Sequence, residues 1–261
     1  MFPSRLPSMK PVALLLALVF ALLGADPAVA QDDDPQPVYE MRTYHPHEGK
    51  LDALHARFRD HTCALFAKHG IENVGYWTPE SGEFLVYLVR YPSRDAREAS
   101  WKGFLADPVW KAAYAASTAD GKLVAKIDSQ FLQTTDFSPN PELKIEDPPR
   151  LFELRTYTVL EGRLPALHAR FRDHTCALFE KQGMTNLWYF QPMADQEGST
   201  RTLVYFLAHK DTEAREASFK AFTADPAWVA ARDASQADGE IVAPKGVKSV
   251  LLKSTDYSPL R

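Results

Sequence analysis

The sequence predicts an α+β fold: two ferredoxin-like βαββαβ repeats forming a single-chain, pseudo-dimeric α+β barrel. Three observations lead there. "VYEMRTY" at Val38–Tyr44 returns as "LFELRTY" at Leu151–Tyr157, an offset of 113, and at the same offset "ALHARFRDHTCALF" (Ala53–Phe66) recurs unchanged as Ala166–Phe179. Each copy then runs strand, helix, strand, strand, helix, strand, an order that puts both helices on one sheet face. Finally, Phe84–Val89 is apolar on both faces. The face left bare by the helices therefore needs a cover, and the sheet of the other copy supplies it.

The first thirty residues stand apart from the fold. Arg5 and Lys10 precede an unbroken apolar run, Val12–Leu23, and Ala28-Val29-Ala30 has the small-x-small pattern of a secretory cleavage site. The run is shorter than the roughly 20 residues of a membrane span. Residues 1–30 are expected to be a signal peptide, with a mature chain that is exported (periplasmic or secreted) and keeps no stable membrane span. The alternative is a retained N-terminal anchor.

Each later element has a local cause. Tyr39, Met41 and Thr43 alternate with Glu40, Arg42 and Tyr44, as in a strand. From Lys50 to Lys68, the residues Leu51, Leu54, Phe58, Thr62, Leu65 and Phe66 form one helical stripe, and Gly70 supplies a stop. Val74–Thr78 and Phe84–Tyr91 are strands around the turn residues Pro79 and Gly82. Ser93 caps a helix that carries "REAS", and Asp107-Pro108 restarts a second segment through Trp110 and Tyr114. Phe131–Thr135 closes the first repeat, 37–139. The Pro-containing stretch 140–150 is a linker, and 151–260 repeats the order with "REAS" at Arg215 and "TDYSP" at Thr255. The offset widens to 118 and then 120 through small loop insertions.

Composition excludes several functions. The chain is 45% hydrophobic and 11% aromatic, which rules out wholesale disorder. A net charge of −4, or −5 once Arg5, Lys10 and Asp26 leave with the signal, argues against a nucleic-acid partner. Two cysteines cannot build a disulfide scaffold or a four-thiolate metal site. Cys63 and Cys176 each lie about 140° from their helix's apolar stripe, so they are expected to face outward and stay unpaired. Phosphate loops, a nucleophile elbow, HExxH and CxxC are absent from the sequence.

"YEMRTYHPHEGKL" and "FELRTYTVLEGRL", the helix ends "KHG" and "KQG", "VGYWTPE", and the "ADPVW" and "ADPAW" segments resemble the NIPSNAP domain, twice, across nearly all of residues 37–260. The resemblance implies the dimeric α+β barrel fold, with the duplication supplying both halves. That superfamily includes haem-degrading and small-substrate monooxygenases and isomerases. It carries no settled reaction for the NIPSNAP branch, whose eukaryotic members are associated with mitochondria, a setting from which the export signal departs.

The candidate site residues fall into two groups. His61 and His174 lie about 60° from the stripe centre and are expected half-buried at the helix–sheet boundary, where an imidazole could shuttle a proton or ligate iron, or simply bond a backbone carbonyl. With Tyr76, Trp77, Trp188 and Tyr189 they are the ligand-binding candidates for two helix–sheet cavities. Glu40, Arg42, Tyr44, Glu153, Arg155 and Tyr157 are expected in the barrel interior, either as charge-satisfying Glu–Arg pairs or as an anion site. No metal site is expected. His45 and His47 could share a side, but Thr158 and Leu160 replace them in the second copy. No cofactor and no catalytic residue can be named.

Function therefore divides. The chain is expected to bind a small hydrophobic or planar molecule, with catalysis open. The alternatives are a non-catalytic protein-interaction module in the periplasm and a haem- or small-substrate monooxygenase-like enzyme. Internal pairing of the two sheets lets the protein be a monomer.

Overall fold

The computed structural model describes Met1 and residues 36–261, and the signal peptide expected at the N-terminus falls outside the described segment. The first repeat runs β1 (Val38–Pro46), α1 (Leu51–Arg57), α2 (Cys63–Lys68), β2 (Glu72–Pro79), β3 (Leu85–Tyr91), α3 (Arg94–Ala106), α4 (Pro108–Ser117) and β4 (Val124–Thr134). The second runs β5 (Leu151–Val159), α5 (Leu164–Arg170), α6 (Cys176–Lys181), β6 (Thr185–Pro192), β7 (Thr202–His209), α7 (Thr212–Ala224), α8 (Pro226–Ser235) and β8 (Val242–Ser254). The caps act as read: Ser93 accepts from the Ala96 N–H, Asp107 from Val109 and Asp225 from Ala227.

The eight strands close into one barrel in the order β1-β3-β2-β8-β5-β7-β6-β4. All pairings are antiparallel, and the repeats are joined where β2 meets β8 and β4 meets β6. An eight-stranded barrel has room inside for side chains and little else. Here Tyr39, Trp77, Leu132, Phe152, Trp188, Phe190 and Phe206 fill it. Register makes the fit lopsided. Trp77 corresponds to Phe190, while Trp188 corresponds to Gly75. A Cβ on Gly75 would stand 2.1 Å from the Trp77 ring, so the glycine makes room for the indole.

β1 and β5 turn the opposite way from the expectation. Tyr39 and Phe152 enter the barrel, whereas Glu40, Arg42, Tyr44 and their counterparts Glu153, Arg155 and Tyr157 lie beneath the helices. The physical reason is the cost of bare charge in a dry plug. The side chains around Tyr39 and Phe152 form an apolar cluster, while α3 and α7 bring Arg97 and Arg215 to the two glutamates.

The first helix also departs from the expected continuous α-helix. A five-residue π turn, Phe58–Thr62, separates α1 from α2, and Phe171–Thr175 repeats it. Bonding i→i+5 takes one extra residue per turn, so everything downstream lags by about 100°. The lag carries His61 and His174 into solvent instead of the helix–sheet boundary. It also turns Cys63 and Cys176 from outward to half-buried; both are free.

β4 begins at Val124, seven residues before the expected start at Phe131. Residues 125–129 are exposed, so no alternating pattern marked them. Backbone pairing with β1 orders them instead.

Candidate functional site

A cavity of about 450 Å³ lies in the first repeat between the helices and the β1–β4 wall. β1 contributes Arg42 and Tyr44, and the π-bulged helix contributes Arg57, Phe58, Thr62 and Phe66. Trp101, Phe104 and Leu105 come from α3, Trp110 and Tyr114 from α4, and residues 122–127 form the remaining wall with Lys122 and Lys126. No carboxylate is among these lining residues.

The π turn fixes part of this lining. The Cys63 N–H donates to the Phe58 carbonyl, and Thr62 Oγ1 donates to the Arg57 carbonyl at 3.1 Å. Arg57 and Thr62 thereby share the cavity wall. Arg57 is 5% exposed, yet among the described residues no carboxylate pairs with it. Its Nη1 reaches Ser117 Oγ at 3.4 Å, and Nε has no partner. Its guanidinium lies 5.5 Å from both the Trp110 and Tyr114 rings. Burial pushes Arg57 below the ordinary arginine value, and the nearby tyrosines, Tyr44 first, oppose that.

Arg42 is held differently. It donates to Glu40 and lies 4.7 Å over the Trp101 ring, while its Nε has no partner. Glu40 is fully buried and also accepts from Arg97 Nε and Nη2 at 3.1 Å, from Tyr91 at 3.1 Å and from Ser129 at 2.7 Å. In the second repeat Glu153 is bonded by Arg155, Arg215, Ser249 and His209, the last standing where the first repeat has Tyr91.

The copies differ where the cavity is built. Arg155 Nε donates to the Tyr205 hydroxyl at 2.8 Å and Nη2 to the Tyr157 hydroxyl at 3.1 Å. In the first repeat, Arg42 Nε and the Tyr87 hydroxyl are both left without a partner. Arg232 and Glu240 replace Tyr114 and Lys122. Residues 243–246 replace Ala125 and Lys126, and Lys245 there adopts a φ of 56°.

The ligand-binding candidates are not gathered in this cavity. His61 is exposed, and His174 flanks a separate groove of about 230 Å³ with Arg170, Asp173 and Ser235. Tyr76 and Tyr189 are fully buried beneath the helices, their hydroxyls bonded to Asn73 and Asn186. Trp77 and Trp188 sit in the barrel interior instead of a helix–sheet cavity. Of the residues expected inside the barrel, Arg42 and Tyr44 line the cavity.

The NIPSNAP family pattern matches residues 39–139 and again residues 152–259. The chain belongs to the NIPSNAP family. A candidate monooxygenase from Fusobacterium nucleatum is similar in structure, with a TM-score of 0.55 and 14% identity over 84% of this chain and 92% of that one. One from Lactobacillus acidophilus has a TM-score of 0.53 and 11% identity over 85% of this chain and 98% of its own. At these identities the likeness shows the fold. An uncharacterized NIPSNAP domain protein from Burkholderia xenovorans is 26% identical over 40% of this chain and 99% of that one, with a TM-score of 0.35. Among curated proteins, none is significantly similar in sequence.

In this NIPSNAP protein, Arg57 and Tyr114 are among the cavity residues that the site reading of the sequence passed over. The signal for Arg57 was a cation three residues after Leu54, on the flank of the buried stripe and followed at once by Phe58. The Arg57 side chain packs on Ser117, Trp110 and Tyr114 of α4, and the π turn that follows it carries no sequence marker.

Proposed function

We propose that this protein is an exported small-molecule-binding protein whose ligand occupies the first-repeat cavity. The supporting observation is its lining, a 450 Å³ space walled by Tyr44, Phe58, Phe66, Trp101, Phe104, Trp110 and Tyr114. Aromatic walls with a few fixed polar groups suit a flat, largely apolar molecule. Leu105, Tyr114 and Ile127 line the space while staying 52%, 44% and 46% exposed, an apolar rim through which such a molecule enters.

The same rim favours a second reading, a protein partner seated on it. A monooxygenase-like reaction in the cavity is the third, suggested by the neighbours described as candidate monooxygenases. Native mass spectrometry of mature protein from its own host tests the first, and also shows whether the chain begins after Ala30. Excess mass is expected from the native protein and none from Ala125→Trp, which fills the cavity from its exposed wall. Unchanged excess mass in that variant would remove the cavity from consideration. Ligand-dependent oxygen uptake would identify turnover.

A further inference from the structure

We infer that the cavity's ligand is an anion, a carboxylate on a flat apolar body, and that Arg57 is the residue that selects it. The inference rests on the cavity reading above and names its ligand class. Arg57 is 5% exposed, lines the cavity, faces no carboxylate among the described residues and keeps Nε without a partner. A buried guanidinium without a counter-charge is costly, and an incoming anion removes the cost.

The rest of the lining has the same sign. Arg42 shares the buried Glu40 with Arg97, which also has Glu98 as a partner. Arg42 Nε is a second free donor, and Lys122 and Lys126 stand along the wall, Lys126 paired with Asp128 at 2.8 Å. Thr62 is the other polar side chain of the buried helix face in the lining. A planar carboxylate matches the edge of a guanidinium, while its apolar body rests on Trp110 and Phe104. A phosphate brings a third oxygen and close to a second charge, whereas beside Arg57 the polar side chain of the buried helix face, Thr62, already gives its proton to the Arg57 carbonyl. The sequence repeats the arginine as Arg170, and the structure gives it a similar serine contact, Nη1 to Ser235 Oγ at 3.3 Å.

The test compares 2-naphthoate with 2-naphthamide, of nearly equal shape, by calorimetric titration of the full mature chain. Native protein should bind the carboxylate about ten- to a hundredfold more tightly, the preference expected of a charge-assisted hydrogen bond. Arg57→Met should erase the preference while keeping amide binding, and Arg57→Lys should restore part of it. Retained amide binding shows that the variants fold. Equal affinity for both compounds in native protein overturns the anion assignment and leaves the cavity reading standing. A preference that survives Arg57→Met overturns the role of Arg57. Tighter binding of 2-naphthyl phosphate than of 2-naphthoate overturns the carboxylate assignment. Failure of native protein to bind any of the three, with Ala125→Trp giving the same null heats, overturns both the inference and the cavity reading.

Discussion

Glu40 on β1 accepts both Nε and Nη2 of Arg97 on α3, each at 3.1 Å, and so fixes the polar face of the first strand beneath the helices. Arg215 repeats the fork on Glu153 at 3.0 Å. Each glutamate is fully buried and holds two arginines. Glu40→Gln should cost about 3–5 kcal/mol, the usual penalty for breaking a buried pair, because it leaves Arg42 without its counter-charge and Arg97 with only the exposed Glu98. Urea unfolding measures it, and a loss below about 1 kcal/mol would mean that water already compensates these arginines.

The same glutamates give stability a pH dependence. Burial pushes Glu40 up, but the hydrogen bond from Arg97, the charge of Arg42 and the Ser129 hydroxyl outweigh it and hold the group below the usual carboxylate range. At Glu153 burial acts the same way and is outweighed by His209, Arg215, Ser249 and Arg155. Folded values below the unfolded value near 4.5 mean that the fold favours the ionised form. Their contribution is full above about pH 4.5 and is lost as pH falls through the folded values. Unfolding free energy measured from pH 7 to pH 3 should drop mainly below pH 4.5, and Glu40→Gln should flatten the drop. A slope confined to pH 5–7 would point to other groups.

Arg57→Met should behave in the opposite sense to Glu40→Gln. It removes a buried charge that has no counter-ion, at the expense of one long Ser117 contact and the two ring contacts. A gain of about 1–3 kcal/mol in the ligand-free protein is expected, visible as a Tm higher by several degrees. A clear fall in Tm would show that Arg57 serves packing more than binding.

Cys63 and Cys176 should be slow to react in the native state. Burial pushes both thiols up to about 11, despite hydrogen bonding to Tyr76 and Tyr189 that works against it. At pH 8 little thiolate forms, and thiolate is the reactive species. A thiol-disulfide reagent should label two groups quickly in urea and neither quickly without it. Fast labelling of native protein would contradict their half-buried placement against the helix cores.

The amino-acid sequence by itself determined the duplication, the element order and the need for the two sheets to cover each other. Those follow from local signals: repeated motifs, alternation in strands, the Ser93 and Asp107 caps, and a strand from Leu85 to Val89 that is apolar on both faces. Only the tertiary structure decided which face of β1 turns inward, because Tyr39-Glu40-Met41-Arg42 alternates equally well either way. The choice went to the face where Arg97, 57 residues later, meets Glu40. Nor could helical periodicity place His61 and Cys63 around the helix, since it assumes an unbroken 3.6-residue turn. The π turn at Phe58–Thr62 shifts that phase by about 100°. It is stabilised by packing against the sheet and by the Thr62 hydroxyl on the Arg57 carbonyl, contacts that exist only once the chain has folded.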